Sequence, residues 1–474
     1  MRLSGGLILG YKMSELLPPS QEPSVSDESP QPPSRRMSRR GVIAGAAALA
    51  GTAAVSATAA SAATAPEGRT PTSPGADRDT RGAKAVAYRN VRPFGAADPV
   101  DLLTVDGRIA DGPVPAGAKV VDGGGRVALP SLVDAHIHPD KTSWGGDWVS
   151  RKPASGIADY IKQDVELFES QDRGIAERAH GLMAHAVTRG TRAMRAHADV
   201  APAYGLAGVE GVHRAAERLG HALDVEIVAF PQHGVAKAPG TAELLEEAAR
   251  TGYVDFIGGL DPISFDNALD EQLDLVFGLA DRHGIGVDIH LHDRDENGTK
   301  VLDAIIDRTR ALGLRGKVNV SHAFCLTNLS ESELARTAAK LGDLDITVTT
   351  VAPNESLVLP IAQLHEHGVG VGLGSDGVRD SWSPFGNADM LHRTHILGWV
   401  TDIRLDQELT DAYEVGAHGG ADLLGIGRSE FKKGDPADFV LLRAQGIPQV
   451  VVDMPQRDIV VHAGHVVASD GELL

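Results

Sequence analysis

Two histidines separated by one residue stand at the end of an apolar segment. The segment "LPSLVDAHIHPDK" covers residues 129–141 and contains His136 and His138. If it forms a strand, alternate side chains share a face, so the two imidazoles lie on one side, about 6–7 Å apart along the chain. Such a pair could be half of a metal site, or it could be two ordinary polar residues at a strand end.

Other apolar segments also end in polar residues that could do chemistry. A single histidine at a strand end is more often hydrogen-bonded or solvated than bound to a metal. Imidazoles and carboxylates at the same end of several strands, however, are the ligand types that a catalytic Zn²⁺ or Fe²⁺ uses. We therefore predict a catalytic divalent metal ion, with ligands drawn from His136, His138, His290, His322 and Asp376.

A fold must bring the ends of these segments together. Between residues 129 and 428, eight short apolar segments alternate with helical ones, from "VALPSLVDAHIH" to "GVGVGLGSD". Eight βα units in about 300 residues fit a (β/α)₈ TIM barrel, whose active sites lie at the carboxyl ends of the strands. A doubly wound open sheet is the alternative architecture.

Both ends of the mature chain have a different residue pattern from the middle. Residues 83–128 and 429–474 contain short alternating apolar runs broken by Asp-Gly and Gly-Gly turns. Because chain ends often lie near each other, we expect the two stretches to form one small β-sandwich domain beside the barrel of residues 129–428.

The first 82 residues predict a leader rather than part of the fold. Residues 1–65 read as a disordered tail followed by a twin-arginine signal peptide, with Arg39 and Arg40 before an Ala/Gly-rich run and a cleavage site near Ala65. Residues 66–82 read as a linker. Alanine and glycine bring too little transfer energy to favour a transmembrane anchor. We expect export by the twin-arginine pathway to the periplasm, cell wall or exterior, without stable membrane insertion.

Charge and cysteine content exclude several classes of function. The 64 acidic residues outnumber the 45 basic ones and give a net charge of −19, which argues against binding nucleic acid. The single cysteine, Cys325, excludes an intramolecular disulfide and a cysteine-rich zinc site. It also excludes the cytidine-deaminase type of zinc site, which needs at least two cysteines.

The chain resembles a known family from about residue 84 to its end. The segments "LPSLVDAHIHPDK", "VEIVAFPQHG", "VDIHLHD", "SHA" and "GSDGVRDSWSPFGNADML" are similar to the amidohydrolase superfamily, specifically its cytosine deaminase branch. The resemblance implies that His322 contacts the attacking water or the tetrahedral centre. It also implies a single metal, because "VDFIGGLDP" lacks the bridging lysine of dinuclear members. The metal ligands implied by the resemblance are His136, His138, His290 and Asp376.

The positions implied to contact the substrate match that branch only in part. Asp293 stands where the branch has a glutamate that passes a proton to the substrate ring, and Gly377 stands where pyrimidine deaminases have a second aspartate that reads the ring. Gln232 matches the glutamine that hydrogen-bonds a cyclic amide edge, and Trp382 could cover a flat heterocycle. The neighbouring Lys141 could line the pocket or belong to a salt-bridged loop, and we interpret His292 as a residue that supports His290.

Together these features predict a metal-dependent hydrolase of non-peptide C–N bonds. We expect it to deaminate a small cyclic amidine or aminated heterocycle by attack of a metal-bound hydroxide, with Asp376 as the base, His322 holding the oxygen and Asp293 passing the proton. Hydrolytic opening of a cyclic amide or imide is the alternative reaction. A catalytically silent protein that binds metal or ligand is the second alternative. We also expect a homo-oligomer.

Overall fold

The computed structural model describes residues 79–474. The predicted tail and signal peptide, and most of the predicted linker, lie outside the described residues. Within the described part of the chain, no helix is both long and apolar enough to cross a membrane.

The strands of the described chain form two sheets of eight strands each. Strands that are buried on both faces read as nearly continuous apolar runs, which is the pattern of the middle segments. In chain order the strands are β1 (Ala85–Pro93), β2 (Val100–Val105), β3 (Arg108–Ala110), β4 (Lys119–Pro130), β5 (Leu132–Ile137), β6 (Thr191–Asp199), β7 (Asp224–Phe230), β8 (Phe256–Leu260), β9 (Gly286–His290), β10 (Val318–Ser321), β11 (Thr347–Thr350), β12 (Val371–Leu373), β13 (Phe439–Leu442), β14 (Arg457–His462), β15 (His465–Ser469) and β16 (Glu472–Leu473).

One sheet combines both ends of the described chain. Its order is β16-β15-β14-β13-β4-β1-β2-β3, and the N-terminal and C-terminal halves meet where β4 and β13 pair antiparallel. Tyr88, Phe439 and Ile459 are fully buried in its apolar core. The predicted β domain made from both ends is confirmed, and β4 runs two residues past the predicted start of the barrel at residue 129.

The second sheet is a parallel barrel. Its strands follow one another in chain order from β5 to β12. The ends of that order meet across a parallel bridge between Ile137 and Asp376, where the amide of Asp376 donates to the carbonyl of His136 at 2.8 Å. The predicted (β/α)₈ barrel is confirmed, and the sheet is therefore not the open doubly wound alternative.

Helices cover the barrel through apolar stripes at helical spacing. In the segment Ala207–Leu219, Val209, Val212 and Ala215 are fully buried. Each large apolar side chain removed from water in this way stabilises the fold by about 1.5–3 kcal/mol. The helices are α1 (Ile157–Ser170), α2 (Ile175–Thr188), α3 (Ala207–Leu219), α4 (Thr241–Thr251), α5 (Leu269–His283), α6 (Glu296–Leu312), α7 (Glu331–Asp343), α8 (Ile361–Glu366), α9 (Met390–Val400), α10 (Asp406–Glu414), α11 (Gly420–Leu423) and α12 (Ile447–Asp453).

Glycines stop helices where the sequence indicates. Helix α5 ends at His283, and the following Gly284 has a φ of 71°, a left-handed conformation that glycine adopts without steric cost. This sharp stop returns the chain to the barrel, where β9 begins two residues later and carries His290 at its end.

Candidate active site

Four predicted ligands converge at the carboxyl end of the barrel. His138 Nε2 lies 3.4 Å from His290 Nε2 and 3.5 Å from Asp376 Oδ1. His136 Nε2 lies 3.6 Å from the same carboxylate oxygen. The ligands come from the first, fifth and eighth barrel strands or from the residues just after them, so the fold brings together side chains up to 240 positions apart in the sequence.

The spacing of these atoms fits a tetrahedral metal ion. Ligand bonds of about 2.0–2.1 Å around a tetrahedral ion place neighbouring donor atoms about 3.4 Å apart. Among the described residues, Nε2 of His136 has no hydrogen-bond partner although it is fully buried. Buried polar atoms normally have partners, and a bound cation would supply one here. The residues therefore fit a divalent ion.

A hydroxyl group orients the imidazole of His136. The Ser321 hydroxyl donates to Asp288 Oδ1 at 2.7 Å and lies 3.0 Å from Nδ1 of His136. Because the single hydroxyl hydrogen goes to Asp288, His136 Nδ1 must be the donor, which leaves the Nε2 lone pair facing the site. Sequence reasoning missed both residues, although Ser321 directly precedes His322 and Asp288 lies two positions before His290 on the same strand.

Two of the site residues have left-handed backbones. The φ angles are 72° at His322 and 61° at Asp376. Residues other than glycine rarely adopt this region, and such strain is concentrated at functional sites. These turns redirect the chain as β10 and β12 end, so that both side chains face the cleft.

His322 lies beside the ligands without a partner of its own. Its ring is buried, and neither nitrogen is hydrogen-bonded to any described residue. The ring centroid is 4.9 Å from that of His136 and 4.4 Å from that of His292. Burial, reinforced by the charge of His292, lowers the pKa of His322 well below its ordinary value. The ring is thus neutral at pH 7 and able to donate from one nitrogen and accept at the other.

An open cleft of about 930 Å³ lies over these residues. It is lined by three of the four candidate ligands, His138, His290 and Asp376, and also by Gln232, Gly377 and Trp382, the three predicted substrate-binding positions. The indole of Trp382 stacks on Tyr160, with ring centroids 5.0 Å apart and an interplanar angle of 17°. The three predicted substrate positions and three of the ligands therefore surround one cavity, and His136 lies behind them against Asp376.

Asp293 is placed differently from the other predicted residues. It is not among the residues that line the cleft, and burial raises the pKa of its carboxyl group against the opposing influence of Ser264. The preceding residue, His292, lines the cleft instead, with Nδ1 2.8 Å from Asp261 Oδ2. Burial opposes protonation of His292, but the hydrogen bond and charge of Asp261 raise its pKa. The barrel thus offers a His–Asp pair beside the position predicted for the proton-passing carboxylate.

Lys141 lines the cleft and is also part of a salt bridge. The two roles that the sequence left open, a pocket residue and a member of a salt-bridged loop, therefore both apply. Its Nζ donates to Gln232 Oε1 at 2.6 Å and lies 3.1 Å from Asp199 Oδ1. An ammonium group can only donate, so the contacting atom of Gln232 must be its oxygen. Burial would lower the pKa of Lys141, yet the neighbouring carboxylates, Asp199 first, raise it. The two N–H groups on Gln232 Nε2 are consequently left for other acceptors.

Asp380 is a buried carboxyl group in the wall of the same cleft. Its Oδ1 accepts the backbone N–H groups of Trp382 at 2.9 Å and Ser383 at 2.8 Å. Burial raises the pKa of Asp380 to about 7, against the opposing charge of Lys141. Sequence reasoning did not single this residue out, because an aspartate two residues before a turn is commonly only a turn-former.

Comparison with known proteins identifies a family over most of the chain. A family model described as "Amidohydrolase family" matches residues 163–468. The crystal structure of N-isopropylammelide isopropylaminohydrolase from Burkholderia multivorans is 37% identical, with a TM-score of 0.78, and the match covers 82% of this chain and all of the other.

Two further proteins are similar at lower identity. The N-isopropylammelide isopropyl amidohydrolase of Pseudomonas sp. is 28% identical over 74% of this chain and 88% of its own length. The structure of 5-methylcytosine deaminase from Klebsiella pneumoniae has a TM-score of 0.70 and covers 81% of this chain and 98% of the other, but at 22% identity it bears on the fold alone. The barrel, its converging imidazoles and carboxylate, and these matches lead to one conclusion: the chain belongs to the amidohydrolase family and is a hydrolase of C–N bonds.

Proposed function

We propose that this hydrolase uses one divalent metal ion to remove an amino or alkylamino group from a small nitrogen heterocycle. The observation that carries the proposal is the convergence of three imidazoles and one carboxylate, with donor atoms 3.4–3.6 Å apart, on the floor of an open cleft. When bound, a divalent ion lowers the pKa of a coordinated water towards neutrality and polarises the carbon that is attacked. His136, His138, His290 and Asp376 would hold it.

The remaining groups of the site have roles that follow from their positions. Asp376, which is both a ligand and one of the carboxylates that line the cleft, takes the proton of the attacking water. The neutral ring of His322 hydrogen-bonds the oxygen that becomes attached to the ring carbon. The sequence resemblance gives the next proton transfer to Asp293, but the cleft wall offers His292, held by Asp261, to hydrogen-bond the leaving nitrogen.

The direct test is amine release by the purified, metal-loaded full chain. We expect ammonia or a primary amine from amino-substituted pyrimidines, triazines or related rings, together with about one metal ion per chain. His290→Ala, which removes a ligand, should lose both metal and activity. A metal-loaded wild-type protein that releases amine from no ring would contradict the proposal, and it would favour a protein that only binds if the ring absorbance also stays unchanged.

Opening of a cyclic amide or imide is the second candidate, favoured by one contact. Because Lys141 occupies Oε1 of Gln232, the Gln232 side chain presents N–H donors that suit a ring carbonyl. The same amine assay distinguishes the two reactions, since ring opening removes the ring absorbance without releasing ammonia.

Three further parts of the proposal come from the sequence. They are the cytosine deaminase branch, assembly as a homo-oligomer, and export by the twin-arginine pathway through residues 1–65. Cell fractionation with Arg39 and Arg40 both changed to lysine would test the export, which we expect to be blocked.

A further inference from the structure

The proposed mechanism leaves one carboxyl group of the cleft without a role. Asp380 lines the cavity and is almost completely buried. Its Oδ1 accepts two backbone N–H groups, whereas no hydrogen bond from a described residue is recorded to its Oδ2. A carboxylate oxygen in the wall of a cavity loses its water when a ligand enters and then needs a new donor, so the ligand of the cavity is a natural source of one.

Gly377 provides the space that this carboxyl group occupies. A Cβ atom built on Gly377 would meet Oδ2 of Asp380 first and would also lie 2.9 Å from Asp380 Cγ, closer than real Cβ atoms approach other atoms. A side chain at position 377 and the carboxyl group of Asp380 therefore exclude each other in this arrangement. Gly377, which follows the candidate ligand Asp376, therefore leaves no void, because the carboxyl group of Asp380 fills the space that a side chain at position 377 would take.

The cleft also presents donors contributed by other strands. Lys141 Nζ lies 5.6 Å from the ring centroid of Phe230 and 5.8 Å from that of Trp382, so the ammonium group sits between two aromatic walls of the cavity. It fixes Gln232 with the amide oxygen turned towards itself. Lys141 and Gln232 thus offer N–H donors, and Asp380 offers an acceptor.

We propose that Asp380 and the Lys141–Gln232 pair select the substrate, with Asp380 accepting a ring N–H and the pair donating to an adjacent ring carbonyl. This inference rests on the proposed function and narrows it to amino-substituted rings that carry an amide or imide edge. Rings that present only amino groups and unprotonated ring nitrogens have the opposite pattern, so they would leave the buried groups of the cleft unpaired.

Binding of two pyrimidines of equal size tests this selection without requiring turnover. Uracil carries an imide edge, and 2,4-diaminopyrimidine carries the inverse pattern of donors and acceptors. We expect metal-loaded wild-type protein to bind uracil about 10- to 100-fold more tightly than the diamine, as measured by calorimetry at pH 8. One or two charge-assisted hydrogen bonds contribute a difference of this size. Equal affinities, or a preference for the diamine, would overturn the inference.

Asp380→Asn separates recognition from a purely structural role. Asparagine keeps an oxygen for the two backbone N–H groups and turns the second atom into a donor. We expect uracil affinity to fall about 10- to 100-fold and the preference over the diamine to disappear. If the variant binds both ligands as the wild type does, or loses both equally, Asp380 only holds its loop.

Asp266→Asn is the matched control. Asp266 is another buried carboxylate that holds a loop, accepting the backbone N–H groups of Val235, Ala236 and Lys237 at 3.0–3.1 Å, and it does not line the cleft. Its variant should lower the melting temperature without changing the ratio of the two affinities. Since these are binding measurements, a protein that prefers uracil but releases amine from no ring would contradict the proposed function and still support this inference.

Discussion

The hydroxyl of Ser321 lies 3.0 Å from Nδ1 of His136, on the side of the ring away from the proposed metal. The same hydroxyl donates to the buried carboxylate of Asp288, which also accepts from Asn319 at 2.9 Å. The sixth barrel strand therefore fixes the tautomer and the orientation of a ligand on the first. Groups of this kind that hold a metal-binding imidazole typically change metal affinity 10- to 100-fold.

Ser321→Ala should weaken metal binding by about that factor, because it removes the acceptor of the His136 Nδ1 proton. Competition with a chromogenic chelator measures the affinity, and kcat at saturating metal should change less than the affinity does. Thr349→Val is the control, since Thr349 is a buried hydroxyl on the adjacent strand whose recorded partner is Asn319 and not a ligand. Equal metal affinity in wild type and Ser321→Ala would refute the supporting role.

His322→Ala should separate catalysis from metal binding. We expect the variant to keep its metal and to lose about 10²- to 10⁴-fold in kcat, the usual range for a group that positions or exchanges a proton in the transition state. Metal analysis of the same preparation makes the comparison with His290→Ala, which should lose the ion. A His322→Ala protein without metal would instead make His322 a ligand.

Gln232→Glu should reduce kcat/KM for oxo-substituted rings by about 10- to 100-fold, since the carboxylate can still accept from Lys141 but offers no N–H to the ring. The expected change lies mainly in KM. Steady-state kinetics on amino-substituted pyrimidinones measure it, and rings without a carbonyl should be affected much less. A uniform loss on all substrates would point to a disturbed Lys141 instead.

The His462–Asp438 pair predicts a pH-dependent contribution to stability in the β domain. His462 Nδ1 lies 3.1 Å from Asp438 Oδ1, and the same carboxylate pairs with Arg192 of the barrel at 2.8 Å. Burial would lower the pKa of His462, but the hydrogen bond and charge of Asp438, with a smaller contribution from Asp224, raise it above 6.5 against the opposing charge of Arg192.

A raised histidine pKa stabilises the fold fully below the unfolded value of about 6.5, and this stabilisation is lost as the pH rises through the folded value. The melting temperature of wild type should therefore exceed that of His462→Gln most near pH 5.5, and the difference should shrink towards pH 9. Burial would also raise the pKa of Asp438, but His462 and Arg192 lower it, so its own contribution is lost only below about pH 4, outside this window.

The control is the same substitution made in an Asp438→Asn background. There the pH dependence of the difference should vanish, because the carboxylate that raises the histidine pKa is gone. Asp438→Asn alone should destabilise the protein by about 3–5 kcal/mol, since it leaves the buried Arg192 without its charge partner. A difference in melting temperature that does not vary with pH would show that the pair is only a packing contact.

The order of the barrel strands and the convergence of the candidate ligands could be predicted from the sequence. Short apolar segments each end in a polar residue, and in a parallel barrel every strand ends at the same rim, so strand order alone places His136, His290 and Asp376 near one another. The helix stop at Gly284 is equally local, because it depends on one residue's backbone freedom. Local pattern and periodicity suffice for features of this kind.

The contacts that govern selection required the tertiary structure. Lys141 turns the amide of Gln232 across 91 residues of sequence, and Ser321 orients His136 across 185. That Asp380 fills the space at Gly377 depends on the path of the loop that contains both residues. Side-chain direction at a strand end also depends on the turn that follows, which is why His292 lines the cleft and Asp293 does not. The sequence by itself determined which chemical groups reach the rim of the barrel, because alternation along a strand is a local property. Only the tertiary structure decided which atoms of those groups face one another, because that depends on packing between distant segments.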